Sequence, residues 1–135
     1  MSPSYNPDDA VRGPLFADGT YEAYVKRADL RHATTGSQMI VLILTIRGQD
    51  NERTDVFDNL VFHPRALWRI QQFCDAVGID FSRGNLEAAD CEGLEMGVSV
   101  GQETYNGRQK NVIKDYLPRM GMPPRRVDPD ADIPF

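Results

Sequence analysis

The segment QMIVLILTI, residues 38–46, constrains the chain more than any other. Its nine residues are too few to cross a bilayer, which takes about 20 residues in a helix. Its Ile, Val and Thr content favours a strand over a helix, so it reads as a strand of a buried core.

The segments around it have the same character. GTYEAYVKRAD, residues 19–29, is rich in aromatic and β-branched residues and predicts a strand, and LRHATTGS then breaks the pattern, with Gly36 offering the positive φ of a turn. After the polar loop GQDNER comes a third strand at TDVFDNLVF, residues 54–62. The period then changes. Pro64 suits a first helical turn, apolar residues recur at Leu67, Ile70, Cys74 and Val77, and Gly78 is a stop signal, which predicts one helix of about four turns. Trp68, one position after Leu67, is expected to cover the bottom of the barrel, and His63 to cap the helix. An irregular stretch leads to Gly93. LEMGVSVGQE then alternates, with Leu94, Met96, Val98 and Val100 on one face, and Asn106-Gly107 is a tight-turn signal before a partner strand at RQKNVIKDYL, residues 108–117.

Three strands, a helix and a two-stranded hairpin follow the element order of an OB-fold, a five-stranded Greek-key barrel with one helix between strands 3 and 4. Other small α+β domains share that order. The uninterrupted meander of strands 1 and 2 favours the barrel. The expected division is an N-terminal arm at residues 1–18, the OB-fold domain at 19–117 and a flexible C-terminal tail at 118–135, whose proline and charge content is that of a linker.

Charge and cysteine content narrow the function. The formal net charge is -5. In the tail Arg119, Arg125 and Arg126 offset Asp128, Asp130 and Asp132, so the acidity belongs to the body. A nucleic-acid binder of this charge must gather its cations locally. Cys74 and Cys91 lack companions at ligand spacing and read as two buried, reduced thiols rather than a disulfide or metal site. The first 18 residues have neither a basic start nor an apolar centre, so no secretory signal or membrane span is expected, and the cytoplasm is the expected compartment. No nucleophile constellation, phosphate-binding glycine loop or metal-ligand spacing occurs; a non-enzymatic protein without cofactor or metal is expected.

In an OB-fold, ligands lie on strands 2 and 3, between the loop joining strands 1 and 2 and the loop joining strands 4 and 5. The body's cations gather there: Lys26, Arg27, Arg31 and His32 around the first loop, Arg47 on strand 2, and Arg108, Lys110 and Lys114 after the second. Tyr21, Tyr24, Phe57, Phe62, Tyr105 and Tyr116 fall near the same places. Single-stranded DNA is held by cations along its backbone and by bases stacked on aromatic faces, each stack contributing about 1–3 kcal/mol. For any single aromatic, core packing is the commoner use, and an exposed cation is usually only solvated surface. Tyr24, Phe57 and Tyr105 are the stacking candidates, Tyr105 because it adjoins a tight turn.

Two resemblances sharpen this reading. The ending DPDADIPF resembles the acidic tip of bacterial single-stranded-DNA-binding proteins, usually Asp-Asp-Asp-Ile-Pro-Phe; Asp130, Asp132, Ile133, Pro134 and Phe135 match, and Ala131 replaces the middle acid. In that family the tip recruits replication and repair proteins, which implies a partner-binding role for Asp128, Asp130, Asp132, Ile133, Pro134 and Phe135, with weaker electrostatic steering for want of one acid. The body, from Asp18 to Pro118, is similar to a bacteriophage family long catalogued as a domain of unknown function and often encoded among replication and recombination genes. DGTYEAYVKRADLRHATTGSQMIVLILTI, ALWRIQQFCDAVGID and GLEMGVSVGQETYNGRQKNVIKDYLP carry that similarity. It implies a phage single-stranded-DNA-binding protein with an OB-fold, working in the host bacterial cytoplasm.

The expected function is therefore sequence-independent coating of single-stranded DNA, with Lys26, Arg27, Arg31, Arg47, Arg108, Lys110 and Lys114 on phosphates and Tyr24, Phe57 and Tyr105 on bases. The tip would bring in host or phage replication and recombination proteins. A rival reading has no DNA binding: the tip is a decoy for host replication and repair proteins. A third is a protein- or small-molecule-binding OB domain with an accidental tail. A monomer and a homodimer both stay open.

Overall fold

In a computed structural model the structure describes residues 15–119. Five strands, β1 Gly19–His32, β2 Gln38–Arg47, β3 Arg53–Val61, β4 Glu95–Tyr105 and β5 Arg108–Leu117, form one antiparallel sheet in the order β3-β2-β1-β4-β5. β1, β2 and β3 make a meander and β4 returns to lie beside β1, which is the Greek-key arrangement of the expected OB-fold. β1 is bulged between Val25 and Arg27 and β5 is bulged opposite Ser99 and Val100. Bulges add local twist and bend, which helps the sheet curl on itself.

The apolar run of β2 conceals an alternation. Ile40, Leu42, Leu44 and Ile46 are wholly buried, whereas Met39, Val41 and Ile43 are only half-buried. The inward set packs with Ala23, Val25 and Ala28 of β1, Val56 and Leu60 of β3, Met96, Val98 and Val100 of β4, and Ile113 and Tyr116 of β5. The second face of the sheet is thus amphipathic, and β2 is not a strand buried on both sides.

One helix of length lies between β3 and β4. His63 accepts the Arg65 N–H on Nδ1 at 3.1 Å, Pro64–Ala66 form a 3-10 turn, and α1 runs over Leu67–Val77 until Gly78, at φ 83, stops it. The helix has about three turns because its first predicted turn is wound as the tighter 3-10 form. Ile70, Phe73, Cys74 and Val77 close the barrel end. Trp68 does not: it is 61 % exposed, and the wholly buried Phe73 fills the place expected for it. At about 100° per residue Phe73 falls within about 60° of both Ile70 and Val77 on the core stripe, while Trp68 falls on the opposite side. A four-residue helix, α2 Ala88–Cys91, buries Cys91.

The barrel closes without a complete ladder. β3 and β5 are the two ends of the sheet and come close to each other, yet they are not ladder partners. Arg69 of α1 spans the gap. Its guanidinium donates to the Lys114 carbonyl at 2.6 Å, to the Ile113 carbonyl at 2.6 Å and to the Asp58 carboxylate of β3 at 3.0 Å. The Tyr116 hydroxyl of β5 donates to the same Asp58 carboxylate.

Packing begins before the expected start at Gly19. Phe16 is buried; its N–H donates to Asn111 Oδ1 at 2.8 Å, and its carbonyl accepts from Gln102 at 2.8 Å and Asn111 at 2.7 Å. Residues 1–14 of the expected arm lie outside the described residues, as does the tail from 120 onward, with Asp128, Asp130, Asp132, Ile133, Pro134 and Phe135. Among the described residues no helix is long and apolar enough to cross a membrane.

Candidate nucleic-acid interface

Alternation along the strands assigns the outward face. With Ile40, Leu42, Leu44 and Ile46 turned in, the other residues of β2 look out, together with their register partners. Across β1, β2 and β3 the rows are Arg31–Met39–Val61, Asp29–Val41–Asn59, Arg27–Ile43–Phe57, Tyr24–Thr45–Asp55 and Glu22–Arg47–Arg53. The first loop, residues 33–37, stands at one end of β1. The hairpin turn Asn106-Gly107 stands beyond the other, because β4 runs antiparallel to β1 and continues past Gly19 to Tyr105. Both turn residues have positive φ, 50 and 78, as a two-residue hairpin requires.

At the first loop the face is open. Phe57 is 42 % exposed beside half-buried Ile43, with Met39, Val41 and Val61 continuing an apolar strip toward the loop. Arg27 and Arg31 are exposed on the β1 side of this strip, and neither makes an ion pair among the described residues. Asp29 lies between them. Cations beside an apolar and aromatic surface suit a polyanion that carries flat bases.

The middle of the face is different. Lys26 pairs with Asp55 at 3.2 Å, and Asp55 also accepts from the Thr45 hydroxyl at 2.9 Å. Arg47 pairs with Glu22 at 3.4 Å. Glu95 pairs with Arg119 at 3.2 Å, their side chains 9 % and 13 % exposed. Tyr24 stands in register between Glu95 and Thr45 and is buried, so the expectation that it stacks bases is corrected. Its position is outward, as its parity requires, but covered. A Cβ at Gly97 would lie 3.4 Å from both the Leu117 Cβ and the Pro118 carbonyl, so the chain leaving β5 rests against the outside of β4.

The hairpin end is open again. Tyr105 is 57 % exposed, with Lys110 Nζ 4.9 Å from its ring centroid and Arg108 opposite in register. Lys114 lies over Gly101, where a Cβ would meet its Cε at 2.3 Å. Glu103, opposite Lys110, is the acid of this group.

A family model described as "Protein of unknown function (DUF669)" matches residues 12–131. The chain belongs to this family. No curated protein matches the sequence.

In this DUF669 chain the sequence-predicted residues thus fall into three groups. Arg27, Arg31 and Phe57 come together near the first loop, Tyr105, Arg108, Lys110 and Lys114 at the hairpin, and Lys26, Arg47 and Tyr24 in the ion-paired or covered middle. Arg53, facing Arg47 across β2 and β3, is not among the predicted cations; its parity on β3 was the available signal. Arg69, Glu95 and Arg119 also escape prediction, since their partners are distant in sequence. The other titratable features are structural. Burial, with Asp75 adding, pushes the Cys74 thiol up to about 11, and burial with the Asp58 carboxylate raises Tyr116 well above the ordinary tyrosine value. Cys74 and Cys91 are both buried thiols, as expected.

Proposed function

We propose that this protein coats single-stranded DNA with little sequence preference, as a phage-encoded protein working in the cytoplasm of a bacterial host. Its tip, Asp128 to Phe135, would recruit replication or recombination proteins. The observation that carries the DNA reading is the outward row Arg27–Ile43–Phe57, with Arg31 and the Met39–Val61 strip beside it, between the two loops that flank an OB-fold ligand face. The test is a fluorescence-anisotropy titration of labelled oligo-dT with the full chain at low and physiological salt, with duplex DNA as control. Salt-sensitive binding to the single strand alone is expected. The Arg27→Ala/Arg31→Ala variant should flatten the plot of log affinity against log salt by about 1.4, because each phosphate deprived of its cation removes about 0.7 from the slope. No binding even at low salt would overturn the reading.

A second reading, the decoy that binds no DNA and offers only its tip, is favoured by the face's own acids. Asp55 and Glu22 already hold Lys26 and Arg47, and the chain as a whole carries a net charge of -5. The same titration separates the two readings.

A further inference from the structure

The geometry points to two separate single-strand subsites on the outward face, one at the first loop and one at the β4–β5 hairpin, divided by a middle that neutralises itself. This inference rests on the DNA reading above and refines it. Each end holds an exposed aromatic ring with cations in its neighbourhood: Phe57 shares a row with Arg27 across Ile43, with Arg31 two rows on, and Tyr105 has Lys110 Nζ 4.9 Å from its ring, with Lys114 further along β5. Between them, beside Arg53, three cations are held by carboxylates: Lys26 by Asp55, Arg47 by Glu22 and Arg119 by Glu95. A phosphate that draws on any of these three must displace a carboxylate from its partner. The ring of Tyr24 is buried in the same region, so a base stacked there would find no open face on it.

The separation follows from the register. Going from Arg27 along β1 to Gly19, and from Val100 along β4 to Tyr105, covers at most about 43 Å at about 3.3 Å per residue. The curl of the sheet shortens the direct path. A single strand too short for that span occupies one end only. A longer one ties the two ends together, and the second engagement then becomes intramolecular, which can raise affinity about 100-fold or more without any new kind of interaction.

The experiment measures the affinity of the full chain for labelled oligo-dT of increasing length, from four nucleotides upward, for the parent and for Phe57→Ala, Tyr105→Ala and the double variant. Both residues are exposed, and circular dichroism checks that the fold is kept. A step in affinity is expected at the length that first spans both ends. Either single variant should abolish the step while leaving weak, length-insensitive binding through the other end. The double variant should bind every length more weakly than either single one, by about 5-fold or more, the effect of removing one stack. A smooth rise with length would overturn the two-subsite inference while leaving DNA binding intact, as would a step that survives Tyr105→Ala. Absence of binding at every length would instead remove the DNA reading and this inference with it.

Discussion

Replacing Arg69 by methionine should open the barrel along the β3–β5 seam. Methionine keeps much of the volume and the apolar stem but removes all three donated hydrogen bonds: to the Ile113 and Lys114 carbonyls at 2.6 Å each and to Asp58 at 3.0 Å. It also deprives the Asp58 carboxylate, whose side chain is only 19 % exposed, of its cation, while the Tyr116 hydroxyl still donates to it. Removing one partner of a buried ion pair costs about 3–5 kcal/mol. Partial exposure lets water reach Asp58 once the guanidinium is gone, so the low end, about 3 kcal/mol, is expected. For a domain of this size that lowers the thermal midpoint by roughly 10–20 °C. Urea denaturation monitored by circular dichroism measures the free energy. Amide exchange localises it: protection should fall most along the β3 and β5 edges. Arg69→Lys should recover only part of the loss, because a single ammonium cannot present a planar fork to a carboxylate and two carbonyls. A destabilisation below about 1 kcal/mol for Arg69→Met, with unchanged protection along β5, would refute the idea that this side chain closes the seam.

Two further predictions concern the core. Tyr116 has its folded pKa raised, so it favours the neutral phenol; the unfolded chain ionises near the ordinary value of 10.0, and stability should fall as pH rises above about 10 and be insensitive to this group below it. Comparing pH-dependent urea midpoints of the parent and Tyr116→Phe isolates that slope, and identical alkaline slopes would contradict it. Gly48→Ala places a Cβ 2.8 Å from the ring of Phe16, so the ring must move from its buried seat. The expected cost is about 1–3 kcal/mol, measured as a drop in denaturation midpoint, and a neutral result would mean that Phe16 relocates freely.

Much of this architecture is legible in local pattern. Met96, Val98 and Val100 do share the inward face, Gly78 does end the helix, His63 does cap the turn before it, and Arg108–Leu117 is the last strand with the predicted bounds. Where the local pattern misleads, a coarse signal hides a finer one. The nine-residue apolar run looks uniform, yet its alternate residues are the outward strip that gives Phe57 its apolar neighbours. Trp68 stands out as the chain's one tryptophan, but the core stripe of α1 is set by Ile70, Phe73 and Val77, and counting at helical spacing excludes position 68.

Which way each side chain points follows from the order of residues, because period two in a strand and period 3.6 in a helix are properties of the backbone that need no partner. Which outward residues stay open does not. Tyr24 and Phe57 have the same outward parity, but Tyr24, whose register partner Glu95 pairs with Arg119, is buried, while Phe57 is 42 % exposed. Charge shows the same divide: Lys26 and Arg27 are adjacent in the chain, yet Asp55 on β3 holds only the first. Pairing, covering and closing are made by residues tens of positions apart, such as Phe16 with Asn111 and Arg69 with Lys114, and those encounters exist only after the sheet has curled.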